Sequence, residues 1–184
     1  MELLVFERVE SEHLSKMFKW RNDHSIYKWC RQSAPISWET HENWFERQDE
    51  DPSIEMFAMM AETIRVKTGL SDANLKRPFL VGCCGLTSID YINSRAEFSL
   101  YIGPEFQGRG YGRMALKELF RYAFEVYNLN LVWGESIEAN PAMKIFEEAG
   151  MKKEGTRHSF YYKEGRYLDA KLFSINKHEF EESK

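Results

Sequence analysis

The part of the sequence best suited to chemistry is the run Gln107-Gly108-Arg109-Gly110-Tyr111-Gly112, in which three glycines alternate immediately ahead of a strongly patterned helix. Glycine lets backbone approach a ligand closely, and the start of a helix offers unpaired N–H groups and the positive end of a dipole. The combination describes a cradle for phosphate. A nucleotide-hydrolase loop would need Gly-Lys-Ser/Thr at its end, whereas Gly112 is followed by Arg113-Met114. A dinucleotide fingerprint would need Gly-x-Gly-x-x-Gly inside a β-α-β unit, which the alternate spacing does not supply. A plain turn capping a helix is the remaining simple reading.

The elements that must position this loop follow from periodicity. A strand is expected over 3–9 and a helix over 11–21, with Leu14, Met17, Phe18 and Arg21 on one face. Ser37 caps a second helix carrying Trp38, His41, Phe45 and Gln48, which ends near Asp51-Pro52. Strands are expected over 55–64, 79–91 and 96–102, the first two joined by an extended hairpin loop over 65–78.

After the glycines, Leu116, Leu119, Phe120, Ala123, Phe124 and Tyr127 repeat at the spacing of a core-facing helical stripe. A strand over 129–137 follows. Asn140-Pro141 then reads as an N-cap and first helical residue, with Gly150 closing that helix. The tail reads as a hairpin over 156–162 and 167–175 around Glu164-Gly165. This order gives a mixed α/β chain, one domain over 1–184, with about seven strands in a mostly antiparallel central sheet and about four helices.

Bulk properties narrow the partners. A formal charge of −4 and the lack of a Lys/Arg run argue against nucleic acid. No apolar run approaches the roughly 20 residues of a membrane span, and the first nine residues do not make a signal peptide. The expectation is a cytoplasmic protein with no membrane partner. Cys30, Cys83 and Cys84 make an odd count without ligand spacing to the histidines, so they read as structural thiols, with neither a disulfide framework nor a metal site.

Gln107-x-x-Gly110-x-Gly112, preceded by residues 101–106, resembles the Gln/Arg-x-x-Gly-x-Gly/Ala motif of the GCN5-related N-acetyltransferases, the GNAT superfamily. The stretch 140–151, with Asn140, Ala142 or Met143, Phe146 and Gly150-Met151, resembles the second motif of that family. The similarity is greatest to the branch of ribosomal-protein alanine, spermidine and sugar-nucleotide amine N-acetyltransferases. Arg21-Asn22-Asp23, Ile36-Ser37, His41 and Trp44-Phe45 look like the sugar-nucleotide group. Arg95-Ala96-Glu97-Phe98 and Glu164-Gly165-Arg166-Tyr167-x-Asp169 look like the polyamine group.

The resemblance implies acetyl-CoA as cosubstrate and no metal. Backbone N–H groups from Gln107, Gly108, Arg109, Gly110, Tyr111 and Gly112 would hold its pyrophosphate, Ile102 would pair with the pantetheine arm, and Asn140 would contact the same arm. A capping role for Asn140 is compatible with that contact.

Glu97 would serve as base, since an alkylamine of pKa about 10.4 is about one part in a thousand neutral near pH 7. Its simpler reading is a surface carboxylate on an edge strand. A backbone N–H of Leu100 or Tyr101 would meet the oxyanion. Many relatives carry a Tyr hydroxyl where this chain has Phe146, so Tyr101, Tyr161, another group or water must protonate the thiolate. Glu135 is a second carboxylate near the site, with a solvent-facing strand residue as its simpler reading. His41 reads as a packing histidine, and Trp20, Trp29, Trp38 and Trp44 are candidates to line an acceptor pocket, with core packing as the simpler reading for most of them.

Direct acetyl transfer to a primary amine is the expected activity, without an acyl-enzyme, because no His stands at a readable spacing from Cys83 or Cys84. Candidate acceptors are an aminosugar nucleotide, a polyamine, an aminoglycoside-like drug or a protein N-terminus. The acidity of the chain leans toward cations. An acyl-CoA-binding regulatory module and an enzyme for longer acyl chains are the alternatives, and a homodimer is expected from the resemblance.

Overall fold

The computed structural model describes residues 2–63 and 78–182, without the side chains of Glu2 and Thr63. Residues 65–77 of the expected hairpin loop therefore lie outside the described residues. Among the described residues seven strands form one sheet: β1 (Glu2–Arg8), β2 (Glu55–Thr63), β3 (Phe79–Asp90), β4 (Arg95–Ile102), β5 (Leu131–Ile137), β6 (Lys152–Lys163) and β7 (Arg166–Asn176). Their order across the sheet is β1-β2-β3-β4-β5-β7-β6. β4 and β5 run parallel and the other pairs antiparallel, as the mostly antiparallel reading requires.

The helices number six among the described residues, more than the expected four: α1 (Ser11–Arg21), α2 (His24–Tyr27), α3 (Trp38–Glu50), α4 (Tyr111–Arg121), α5 (Met143–Glu148) and α6 (Lys177–Glu182). The two additions, α2 and α6, are only 4 and 6 residues long. A stripe needs about two turns to show itself, so neither leaves a periodic pattern. The Ser37 hydroxyl accepts from the Thr40 N–H as the cap of α3.

α4 runs on as a single π-turn over Tyr122–Val126, so its apolar stripe reaches Phe124 before the chain turns. Glu164 and Gly165, both with positive φ, close the β6–β7 hairpin, which is longer than expected because its polar outer face hides the alternation.

Two cores flank the sheet. On one face, α4 lays Ala115, Leu116, Leu119 and Phe120 against Cys84, Leu86, Ala96 and Phe98. On the other, α1 lays Leu14, Met17 and Trp20 against Ala58, Cys83 and Tyr101. Neighbouring strand residues point to opposite faces, which is why adjacent Cys83 and Cys84 fall into different cores. All three cysteines are free.

Candidate active site

The site is created where the sheet stops pairing. β4 and β5 share only three registered pairs, Arg95 with Leu131, Ala96 with Val132 and Glu97 with Trp133. Beyond Glu97 the two strands part. A Cβ at Gly134 would collide with the ring of Phe98. That ring packs edge-on against Phe146, 5.0 Å between centroids, and Phe146 in turn against Phe173 at 5.5 Å. The three rings fill the floor of the gap.

β4 still pairs with β3 on its other edge. The Gly103 N–H donates to the Val81 carbonyl at 2.9 Å. Alternation along an antiparallel ladder then turns the Tyr101 amide toward its partner Cys83 and the amides of Leu100 and Ile102 toward the gap. The Ile102 carbonyl, on that open side, accepts from Gln107 Nε2 at 3.2 Å.

A cavity of about 730 Å³ occupies the gap and passes through the sheet. At one end it is lined by Ile102, Gln107, Gly108, Gly110, Tyr111 and Gly112 at the start of α4, with Asn140, Ile145 and Phe146 beside them. Gly108 and Gly110 adopt φ of 75° and 86°, and a Cβ on either would meet nothing within 4 Å, so both are set by backbone conformation alone. Gly112 differs, since a Cβ there would lie 2.8 Å from Ile145 Cδ1, and its role is to let α4 and α5 approach.

The Met114 N–H donates to the Gly110 carbonyl at 3.1 Å as the helix begins. Amides ahead of that bond have no partner one turn back in the helix. The side chains of Arg109 and Tyr111 are engaged away from the glycine end of the cavity. The Arg109 guanidinium donates to the Glu105 carbonyl at 2.9 Å, and the Tyr111 ring is buried in the core.

Asn140 does not cap α5 directly, because the helix begins at Met143. Its Oδ1 accepts from the Ala142 N–H at 3.0 Å and its Nδ2 donates to Ser136 Oγ at 3.0 Å. The expected capping chemistry is present in a tight turn two residues ahead of the helix, and it ties that turn to β5.

The opposite end of the cavity holds the titratable groups. Glu97 and Glu135 lie on the α1 face, on the two diverging strands, with side chains only 9% and 5% exposed. This corrects the simpler readings of both: Glu97 is not on an open edge, because β5 pairs beside it, and Glu135 faces the cleft.

Both carboxylates are held by arginines that carry no local motif. Arg31, in the loop after α2, forks onto Glu97 through Nη1 (3.2 Å) and Nη2, and its Nε donates to Glu135 Oε1 at 3.1 Å. Arg157 donates to Glu135 Oε2 at 2.6 Å, and the Tyr161 hydroxyl donates to Oε1. Burial works to lower the Arg31 pKa, but the bonds and charge of Glu97, with Tyr161 and Glu135 adding, raise it on balance. Burial and then the bond to Glu135 push the Tyr161 hydroxyl up to about 12.

The loop bearing Arg31 is fastened independently. Lys163 Nζ donates to the Cys30 carbonyl at 2.6 Å and to the Gln32 carbonyl, and Asn22 exchanges two bonds with Ile36. Trp29 lines the cavity, whereas Trp20 packs on Gly103 and donates to Glu105 at 3.0 Å. His41 is stacked on Trp44 and bonded to the Leu14 carbonyl, away from the cleft. Tyr101 lines the cavity but is largely buried, and that burial raises its hydroxyl well above its ordinary range. No three His, Cys, Asp or Glu side chains converge as a metal site among the described residues, and no helix there is long and apolar enough to cross a membrane.

Comparison with known proteins fits this geometry. The acetyltransferase (GNAT) domain family matches residues 4–152. A spermidine N(1)-acetyltransferase of Vibrio cholerae is 35% identical over 97 residues, which is 52% of this chain and 56% of that protein. The putative ribosomal N-acetyltransferase YdaF of Bacillus subtilis is 32% identical over 106 residues, 57% of this chain and 58% of the relative. These matches thus span little more than half of the relatives' length. Acetyltransferase PseH of Campylobacter jejuni is 23% identical over 152 residues, 80% of this chain and 82% of that one. The crystal structure of the Vibrio cholerae spermidine N-acetyltransferase in complex with CoA and spermine shares the fold, with a TM-score of 0.83 at 24% identity over 96% of this chain and 97% of that one. With most of its length matched by the family and both glycine and Asn140 motifs in place around the split sheet, the chain belongs to the GNAT acetyltransferases.

Proposed function

We propose that the chain is an N-acetyltransferase that moves the acetyl group of acetyl-CoA directly onto a primary amine of a small cationic molecule. The observation that carries this is the single cleft joining the glycine-rich start of α4 to the buried pair Glu97 and Glu135 through the gap between β4 and β5.

Acetyl-CoA supplies the thioester. The amides at the start of α4 suit its pyrophosphate, and the unpaired edge of β4 at Ile102 suits the amide-bearing arm. Glu97 takes the ammonium proton of the acceptor, the freed nitrogen attacks the thioester carbonyl, and the surplus proton then left on that nitrogen passes to water as the amide forms. The Leu100 N–H, on the open edge of β4, meets the oxyanion; the Tyr101 amide is committed to β3. Collapse expels the thiolate. Phe146 has no proton to give and the Tyr161 hydroxyl is committed to Glu135, so the thiolate takes its proton from water, which a thiol of pKa about 8.5 tolerates.

Two buried carboxylates favour a cationic acceptor, and relatives named for spermidine acetylation support a polyamine over a sugar nucleotide or protein N-terminus. The free cysteines suit a reducing cytoplasm. The test is thiol release from acetyl-CoA with a panel of polyamines, aminosugars and peptides. Turnover with polyamines supports the reading, and CoA binding without release for any amine returns the chain to a binding module.

A further inference from the structure

Glu97 and Glu135 stand on separate strands, yet one guanidinium joins them. All three nitrogens of Arg31 are engaged, two on Glu97 and one on Glu135. The carboxylates are buried, while the Arg31 side chain is 57% exposed and sits on the solvent side of the pair. Buried carboxylates require a positive partner, and removal of that partner leaves an uncompensated charge. Arg157 continues to neutralise Glu135 from the other side, but among the described residues no other cation contacts Glu97. Both Glu97 oxygens accept from Arg31, so the guanidinium occupies the face of the carboxylate that a ligand would have to reach.

We propose that the guanidinium of Arg31 occupies the subsite for the acceptor's ammonium group, and that a cationic amine binds by taking its place between Glu97 and Glu135. Arg31 is then a specificity-determining residue, because any acceptor must compete with it, and a neutral or anionic one cannot replace its charge. The exchange moves only a side chain. Lys163 and Asn22 fasten the loop on both sides of Arg31 by bonds to its backbone, and a half-exposed guanidinium has solvent to turn into. Displacement also frees Glu97 to receive the ammonium proton, so the subsite accepts a cation and unmasks the base in one event. This inference rests on the acetyl-transfer reading for the identity of the ligand, but its test reads binding of a cation and not turnover.

The experiment is calorimetric titration of CoA-loaded protein with spermidine as probe, on wild type, Arg31→Ala and Arg31→Lys. The subsite predicts at least fivefold tighter spermidine binding to Arg31→Ala, and affinity within about twofold of wild type for Arg31→Lys, which keeps a competing cation. Methylguanidinium chloride at millimolar concentration is expected to bind Arg31→Ala, to be displaced by spermidine, and not to bind wild type. Equal or weaker spermidine binding to Arg31→Ala, or none to any of the three proteins, overturns the proposal; retained CoA binding in that case leaves the acetyl-transfer reading standing. Should Arg31→Ala not fold, phenylglyoxal labelling of Arg31 in the wild type decides. Spermidine accelerates labelling if the guanidinium is expelled, and protects it or leaves it unchanged if the proposal is wrong.

Discussion

Phe98 and Gly134 face each other where β4 and β5 part, and the phenyl ring fills the space that a side chain at residue 134 would need. The gap between β4 and β5 is therefore built from a large residue against a missing one. Gly134→Val should force the ring into Phe146 and the floor of the cleft. Overpacking of this kind costs about 1–3 kcal/mol. The expected result is a Tm lower by several degrees, together with weaker acetyl-CoA binding, read by thermal melts and titration.

Gly110 separates conformation from space. Its φ of 86° disfavours any side chain, although a Cβ there would touch nothing, and holding a non-glycine residue in that region costs about 1–3 kcal/mol. Gly110→Val should relax the start of α4 and weaken acetyl-CoA binding at least tenfold. Gly155→Ala, at another open position without the positive φ, should leave both stability and affinity unchanged. Equal effects at the two positions would remove the cradle from the account.

Glu97→Gln keeps the shape of the side chain and removes its ability to take a proton. Loss of a general base reduces turnover by about 10²–10⁴-fold, so kcat should fall by at least a hundredfold while acetyl-CoA affinity holds. A change confined to the affinity for acetyl-CoA would show that Glu97 only shapes the cleft.

The fold carries its own pH response at His41. Burial pulls this ring down from its ordinary value of 6.5, Arg21 adds to the effect, and the bond to the Leu14 carbonyl and the charge of Glu42 oppose it. The unfolded chain consequently takes up its proton first as pH falls through 6.5, and His41 contributes a loss of stability from there down to the lower folded value. Melting curves between pH 7 and 5 should show a falling Tm, with a shallower fall in His41→Gln, which does not titrate. An identical slope would place the acid sensitivity elsewhere.

Direct transfer predicts that no acetyl group stays on the protein. Cys83 and Cys84 are fully buried, and burial pushes their thiols up, Cys83 to about 12 and Cys84 well above its ordinary range. Since the thiolate is the nucleophile, intact mass after incubation with acetyl-CoA should be unchanged. A stable 42 Da adduct on either cysteine, about the mass of one acetyl group replacing a proton, would contradict direct transfer.

The parts legible in the sequence were those encoded locally. Gly108, Gly110 and Gly112 announce themselves by spacing, the stripe from Leu116 to Phe124 by period, and Ser37 by its place ahead of α3. Asn140 was readable as a capping residue, but its bond ends on Ala142 and the helix starts later, since the Asn140-Pro141 pair fits a tight turn as readily as a helix start.

The acidic end was only half legible. Glu97 and Glu135 could be named, but their burial depends on which strands neighbour them, and strand order is not written in either strand. Arg31 and Arg157 lie 66 and 22 positions from the carboxylates they hold, in segments with no repeat or motif. Such charge pairing is set by the closed fold, and one sequence contains no short-range sign of it.

On the proposed function, the gap between β4 and β5 receives acetyl-CoA with its pyrophosphate at the start of α4. Calorimetric titration of the wild-type protein with acetyl-CoA tests it most directly. One molecule bound per chain with micromolar affinity, weakened at least tenfold by Gly110→Val, is the predicted result; absence of binding, or binding indifferent to residue 110, would contradict it.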